Sequence, residues 1–412
     1  MDGFGKRTQL ENFGIVWTSQ TTAAILIFAV PALGPLLVTR VALTPTEIGE
    51  LVGITYLGIV SVSVFFGAIA DYLGVRKILF LGHVLEAVSI LGASFAHDFT
   101  GLAISVLGVG FGYSSITPVT SKAIINWFSK NQRSSVMGLK QTGTTVGASI
   151  AGALLPVIGV RYGLPASFIV AGILVLIGSS FLLWYKESES NPNSKKGFAF
   201  LREGLSLSLK NSNLRWVGGV GFFYASVQAA VSTYIALFAQ DKWGYNVVEA
   251  GLFLSLVNMA GTLGRPVFGL VSDRLLHGNR ILDLLVISLT SSVTLVLLSF
   301  TGPNANIWVL VAVVALLGFG ALGWNGVFLA LSGEYSDTGY EAVGTSLAFS
   351  LAMTGQVVGA PLFGLIVEKT GTYSSAWQTY AVLLISASLV FTMAKYRSAV
   401  GDSKSQDFKN SI

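Results

Sequence analysis

Apolar runs long enough to cross a bilayer recur along this chain, and few folds can take them in. A helical span needs about 20 mostly apolar residues, each rising about 1.5 Å. By that measure spans fall near 14–38, 47–70, 77–97, 100–126, 134–158 and 164–185, then, after a polar interval, near 214–240, 248–271, 281–302, 307–332, 343–367 and 374–396. Hydrophobic residues make up 52% of the 412 and charged residues 11%, where a soluble domain carries roughly a quarter charged. So little polar surface cannot cover a globule in water, which leaves lipid as the solvent. Lipid offers backbone groups no hydrogen bonds, so spans of this length have to be helices. The fold expected is an all-α polytopic membrane protein whose twelve transmembrane helices form two pseudo-symmetric six-helix bundles.

The polar interval, KESESNPNSKKGFAFLREGLSLSLKNSNLR at 186–215, is rich in Ser, Asn, Lys and Arg. It reads as a solvated linker with a short amphipathic helix around Phe198–Leu209 on the membrane surface. The organisation expected is an amino-terminal bundle over 1–185, a cytoplasmic linker over 186–213, a carboxy-terminal bundle over 214–396 and a cytoplasmic tail over 397–412. Cations set the orientation, because loops that stay inside are enriched in Lys and Arg. With the amino terminus inside, Lys6, Arg7, Arg76, Lys77, Lys130, Arg133, the linker cations, Arg274, Arg280, Lys395, Arg397, Lys404 and Lys409 are cytoplasmic. Only Arg40, Arg161, Lys242 and Lys369 fall outside. The polar start, MDGFGKRTQLENFG, precedes a run long enough to span, which argues against a cleaved signal peptide. A monomeric multi-pass protein of the cell membrane with both termini cytoplasmic is expected.

Several function classes fall away. The net charge is +5, but the cations sit in short clusters between apolar spans, so nucleic acid is not an expected partner. Without cysteine there is no disulfide, thiolate metal site or thiol catalysis. His83, His97 and His277 are too scattered for metal-ligand spacing, and no cofactor is expected. No HExxH, Gly-x-Ser-x-Gly or strand-borne GxGxxG stands in the chain, which argues against an enzyme.

The two halves repeat each other. Asp71 and Asp273, each four residues after a glycine (Gly67, Gly269), close the second span of their half. In the fifth spans Gly143 and Gly147 match Gly355 and Gly359, followed by Pro156 and Pro361. Internal repeats of this kind build many secondary transporters, with the solute site at the midplane between them. The phrase Gly67-x3-Asp71-x2-Gly74-x-Arg76-Lys77 resembles the loop signature between spans two and three of the major facilitator superfamily. NWFSKNQRSSVMGLKQTG at 126–143 and GRPVFGLVSDR at 264–274 are similar to other connections of that superfamily, and the resemblance runs over essentially the whole chain. The second copy departs from the signature, because Gly278 and Arg280 lie two residues too far along. The resemblance implies a gate in which Gly67, Asp71, Gly74, Arg76, Lys77, Gly269, Asp273 and Arg274 form latches made in one state and broken in another. The blander alternative is that Arg76 and Lys77 simply mark the inner face.

An ionisable group inside a span is costly and by default a functional candidate. Lys122 in span four, Lys140 in span five, Arg265 in span eight and Glu86 with His83 in span three stand out. The three cations, with no carboxylate beside them on those spans, describe an interior that attracts anions. Arg265, followed by Pro266, stands where the resemblance places a carboxylate-binding arginine of monocarboxylate-type members; their acidic residue one turn earlier is Gly261 here. The alternative for the lysines is snorkelling to the inner interface. Tyr113, Tyr224, Gln228, Asn258, Asn325 and Gln356 add neutral donors on lining helices, each equally readable as an interhelical hydrogen bond. Glu86 and His83 are candidates for proton coupling, or a pair that fixes span three against a neighbour. The reading as a whole is a secondary transporter working by alternating access, with proton-coupled uptake of a small organic anion, a monocarboxylate, as the activity expected. Its partners are that solute, protons and the lipid bilayer; anion exchange, export of another small solute and a non-transporting receptor are the alternatives.

Overall fold

The computed structural model describes residues 6–128, 130–187, 198–338 and 340–410, with the side chains of 64, 65, 67–72, 125, 126, 130–135, 198–201, 342 and 397–410 outside that description. Every regular element among the described residues is helical. Span one is α1 (Lys6–Ile27) and α2 (Ala29–Val41); span two is α3 (Pro45–Leu73); span three is α4 (Val75–Ala93). Span four is α5 (Phe99–Tyr113) and α6 (Ile116–Trp127), span five α7 (Lys130–Tyr162), and span six α8 (Leu164–Ser180). A separate helix, α9 (Phe198–Lys210), precedes span seven, α10 (Ser212–Trp243). Spans eight and nine are α11 (Val247–Arg274) and α12 (Arg280–Ser299). Span ten is α13 (Ile307–Ala321) and α14 (Asn325–Glu334), span eleven α15 (Glu341–Thr370) and span twelve α16 (Tyr373–Asn410). Twelve spans thus stand in the expected order, and ten of them are long and apolar enough by themselves to cross a membrane.

The helices begin where the loops supply caps. Asp98 accepts from the Gly101 N–H at 2.9 Å, Asn306 from Trp308 at 2.9 Å, and Asn246 with Glu249 forms a reciprocal capping box. Gly244 and Gly371 end spans seven and eleven in the left-handed conformation. Span one starts earlier than its apolar run, at Lys6. Its polar first turns are held because Asn12 exchanges hydrogen bonds with the Lys186 backbone at 3.0 and 3.1 Å, tying the start of the chain to the end of the first half. The helix expected around Phe198–Leu209 is α9, and it packs against spans seven and eleven. Val88, Ile104, Leu263, Leu289 and Val390 remain exposed on the outside, as a lipid-facing surface requires.

Within the first half, span one packs on spans five and six, and span four on spans two and three. Within the second, span seven packs on span eleven, span eight on span ten and span nine on span twelve. Both fourth-position spans break at the same phrase, Gly110-Phe111-Gly112 in span four and Gly318-Phe319-Gly320 in span ten. The backbone bonds repeat across the break: Ser114 N–H to Gly110 O and Ser115 N–H to Gly112 O, then Leu322 N–H to Gly318 O and Gly323 N–H to Gly320 O. A Cβ on Gly110 would run into Thr55 O, and one on Gly318 into Val257 O, so only glycine lets these spans approach spans two and eight so closely.

The halves meet through spans two and eleven, spans five and eight, and α2 with span seven. We call the end at which α1 begins proximal and the other distal. Contacts between the halves gather toward the distal end. Tyr234 of span seven donates to Pro45 O at 2.7 Å, and the Thr46 N–H donates to Glu368 of span eleven at 2.9 Å. Ser149 and Ser255, on spans five and eight, each donate to the other's backbone carbonyl, at 3.2 and 2.7 Å. These bonds close the halves on each other at the distal end.

Candidate functional site

Arg265 is fixed at the boundary between the halves. Its Nε donates to Leu322 O at 3.2 Å and its Nη1 to Gln141 O at 2.6 Å, so one carbonyl comes from its own half and one from the other. The Leu322 carbonyl is free for this because span ten is interrupted there, between α13 and α14. No carboxylate pairs with Arg265 among the described residues, and Nη2 has no hydrogen bond. Tyr56 of span two and Tyr113 of span four lie within its electrostatic reach. Tyr113 in turn faces Thr144. Gln20 of span one donates to Gln141 Oε1 and Thr144 Oγ1, both at 2.7 Å, and so braces the stretch of span five that supplies the Gln141 carbonyl.

Lys140 lies beside Gln141 in sequence but turns toward span four. It is 1% exposed, and its Nζ donates to Thr120 Oγ1 at 3.2 Å and Ser121 Oγ at 3.1 Å. It does not reach an interface. Two hydroxyls are weak compensation for a buried ammonium, so a charged Lys140 is costly there unless an anion joins it. Lys122 stands half-buried on the proximal half of span four.

The second half contributes neutral polar groups. Gln228 Oε1 accepts from Trp324 Nε1 at 2.9 Å and from Asn325 Nδ2 at 3.3 Å. That leaves Gln228 Nε2 and Asn325 Oδ1 without a partner among the described residues, and Trp324, itself buried, holds the pair in place. Gln356 reaches Met353 Sδ at 3.6 Å. Asn258 is fully buried, its Nδ2 donating to Leu254 O at 2.9 Å. Tyr224 turns away from Arg265: its hydroxyl donates to Leu284 O at 2.5 Å and its ring stacks on Trp324. The structure therefore brings Arg265, Tyr113 and the span-five residues together, and groups Gln228 with Asn325, while Tyr224 and Asn258 are engaged inside the second half.

Glu86 and His83 are both fully buried, with His83 Nδ1 2.8 Å from Glu86 Oε2 and His83 Nε2 2.6 Å from Ser19 Oγ of span one. Glu86 Oε1 has no hydrogen bond. The pair thus ties span three to span one, and Glu86 is also within electrostatic reach of Tyr113.

The second loop signature is described in full, the first only in part. In the second, Arg280 Nη2 meets Asp273 at 2.7 Å and its Nε meets Glu334 of span ten at 3.3 Å. The two surplus residues are absorbed by a tight turn in which His277 and Gly278 take φ of 52° and 82° and the Gly278 N–H returns to Ser272 O at 2.8 Å. Gly269 faces open space and Arg274 is exposed. In the first signature the side-chain surroundings of Gly67 and Asp71 lie outside the described residues. There Gly74, at φ 83°, opens span three, and the Arg76 N–H donates to Glu187 at 2.7 Å; Lys77 is exposed. Sequence reasoning missed Tyr56, Gln141, Thr144 and Glu187; a hydroxyl-bearing aromatic in mid-span was the only signal, and it pointed to Tyr56 alone.

The model of the Major Facilitator Superfamily matches residues 15–353. The chain belongs to that superfamily. This transporter is 26% identical over 374 residues to the hexuronate transporter of Bacillus subtilis, covering 86% of this chain and 87% of that one. It is 22% identical to the probable sulfoacetate transporter SauU of Cupriavidus necator, with 85% of each chain covered. Its fold is similar to the crystal structure of a bacterial homologue of the human lysosomal transporter Spinster in an inward-facing, unoccupied conformation, at a TM-score of 0.71 and 15% identity over 95% of this chain and 96% of that one. It is a multi-pass membrane transporter of small solutes, not an enzyme.

Proposed function

We propose that this transporter takes up a small organic anion together with protons across the cell membrane, as a monomer with both termini and the linker in the cytoplasm. The observation that carries the reading is Arg265, held by carbonyls from both halves with Nη2 uncommitted and no acid beside it. A planar guanidinium so held is preorganised for a carboxylate. The anion is a monocarboxylate bearing hydroxyl groups: the carboxylate sits on Arg265, and the hydroxyls meet Gln228 Nε2 and Asn325 Oδ1. That the relatives are transporters of hexuronate and sulfoacetate supports an organic anion.

In the proposed orientation the distal end is extracellular, so the conformation is closed to the outside. The bundles 1–185 and 214–396 rock about the site, breaking the distal bonds and the Arg265–Gln141 contact as the outer side opens. The Asp273–Arg280–Glu334 group serves as an inner latch of the second half, with the Gly67–Lys77 signature as its counterpart in the first. Glu86 with His83 carries the proton, its bare Oε1 being the position where one is added. Lys140 favours a second reading, anion exchange, since two cations bind an anion without a proton.

Proteoliposomes with a pH dye inside, given a panel of small hydroxylated carboxylates, test the reading. Internal acidification that is lost in Arg265→Ala is the expected result. Exchange of labelled anion with no pH change would replace symport by exchange. Silence in both, with correctly inserted protein, would sink the anion assignment.

A further inference from the structure

Span nine begins with a buried acid that the substrate site does not use. Asp283 stands one turn into α12, fully covered, and neither of its carboxylate oxygens has a hydrogen-bond partner. The side chain facing it is the Ser272 hydroxyl of span eight, equally covered and equally without a formed hydrogen bond. Three of the nearby N–H groups at the helix start are already engaged. Leu282 N–H goes to Asn279 Oδ1 at 3.1 Å, Arg280 N–H to Gly278 O at 2.9 Å, and the Asp283 N–H itself to Asn279 O at 3.1 Å.

The charged and titratable groups that face Asp283 are Arg280 on its own helix, Asp273 from span eight and Tyr224 from span seven, with Glu334 of span ten acting through Arg280. Arg280 is already held by Asp273 and Glu334. An ionised Asp283 would make three carboxylates around one guanidinium, in a place where the Ser272 hydroxyl is the one side-chain donor facing it among the described residues. A buried charge left in that condition is strongly unfavourable, and a carboxyl escapes it by taking up a proton.

We propose that Asp283 is a proton-binding site, occupied in the distally closed conformation and governed by the Arg280 latch. Arg280 and Asp283 are three residues apart on one helix and share a face. While Asp273 and Glu334 hold the guanidinium, the acid keeps its proton. When spans eight and ten part from span nine at the proximal end, the released guanidinium has Asp283 as its nearest acid; an ion pair forms and the proton leaves to water. The role in transport rests on the proton-coupled reading above, but the occupancy of the site does not.

Infrared difference spectroscopy on the full chain, reconstituted with no solute, tests occupancy directly. Wild type minus Asp283→Asn at neutral pH is expected to show loss of the carbonyl stretch of a protonated carboxylic acid. Loss of the paired stretches of an ionised carboxylate instead would overturn the proposal. Should Asp283→Asn fail to insert, Asp283→Leu reads the same, since the site is held to be neutral. In the double variant Asp273→Asn, Glu334→Gln the released Arg280 is expected to convert the acid band into carboxylate bands; an unchanged acid band would refute control by the latch. None of these spectra depends on anion transport, so the two readings fail separately.

Discussion

Replacing Arg265 by lysine keeps the charge and removes the fork. In the wild type Nε holds Leu322 O at 3.2 Å and Nη1 holds Gln141 O at 2.6 Å, which sets the plane of the guanidinium and leaves Nη2 for the substrate. An ammonium has all its donors on one nitrogen and cannot keep both carbonyls while meeting a carboxylate side-on. The expected loss is about one hydrogen bond to a charged group, about 1.5–3 kcal/mol. At about 1.4 kcal/mol per decade that raises KM for the anion by about 10-fold to about 150-fold. Uptake of the labelled carboxylate that the panel identifies, into proteoliposomes at matched amounts of inserted protein, measures it. A KM within about threefold of wild type, less than about 0.7 kcal/mol, would show that only the charge matters and would refute the geometric reasoning.

Tyr234→Phe removes the hydroxyl that bonds Pro45 O and Ala360 O, a loss of about 0.5–1.5 kcal/mol per bond. Because the chain has no cysteine of its own, faster thiol labelling of Thr46→Cys in that background is the expected readout of an easier distal opening. Gly110→Val sets a branched side chain against Thr55 O, and overpacking of about 1–3 kcal/mol should lower the melting temperature, where Gly219→Val, in open space, should not. Ser19→Ala strips His83 Nε2 of its partner inside the first half, for an expected loss of about 1–3 kcal/mol in thermal stability. Glu86→Gln should abolish anion-driven acidification of proteoliposomes while labelled anion still exchanges; acidification at the wild-type rate would remove Glu86 from the proton path.

The spans were legible because their signal is a length and a composition, and lipid leaves no alternative to helices of that length. Arg265 was legible for a related reason: a guanidinium beside a proline in the middle of an apolar span has no cheap explanation. Its anchors were not, because they are backbone carbonyls, and a carbonyl leaves no mark in a sequence. Span ten's break could have been found from the Gly-Phe-Gly phrase it shares with span four. The pairing of Arg280 with Asp273 was not legible by counting. Two extra residues imply a shifted partner only in an extended loop, and left-handed His277 and Gly278 fold the surplus away. Asp283 read as one more charge at a loop edge, and only the packing of span eight over it makes it a buried acid.

The distal seam between the halves is polar. Four hydrogen bonds cross it among the described residues: Tyr234 to Pro45, Thr46 to Glu368, and the reciprocal pair of Ser149 and Ser255. A seam of interlocked leucines would lose favourable burial over its whole area on opening and would find nothing in water to replace it. Hydroxyl and carbonyl groups trade one partner for another, at a net cost of about 0.5–1.5 kcal/mol each. The gap between the two faces of the transport cycle is thereby kept to a few kcal/mol, within what a bound solute can tip. A seam that has to open and close in every cycle is better fastened by bonds that water can undo.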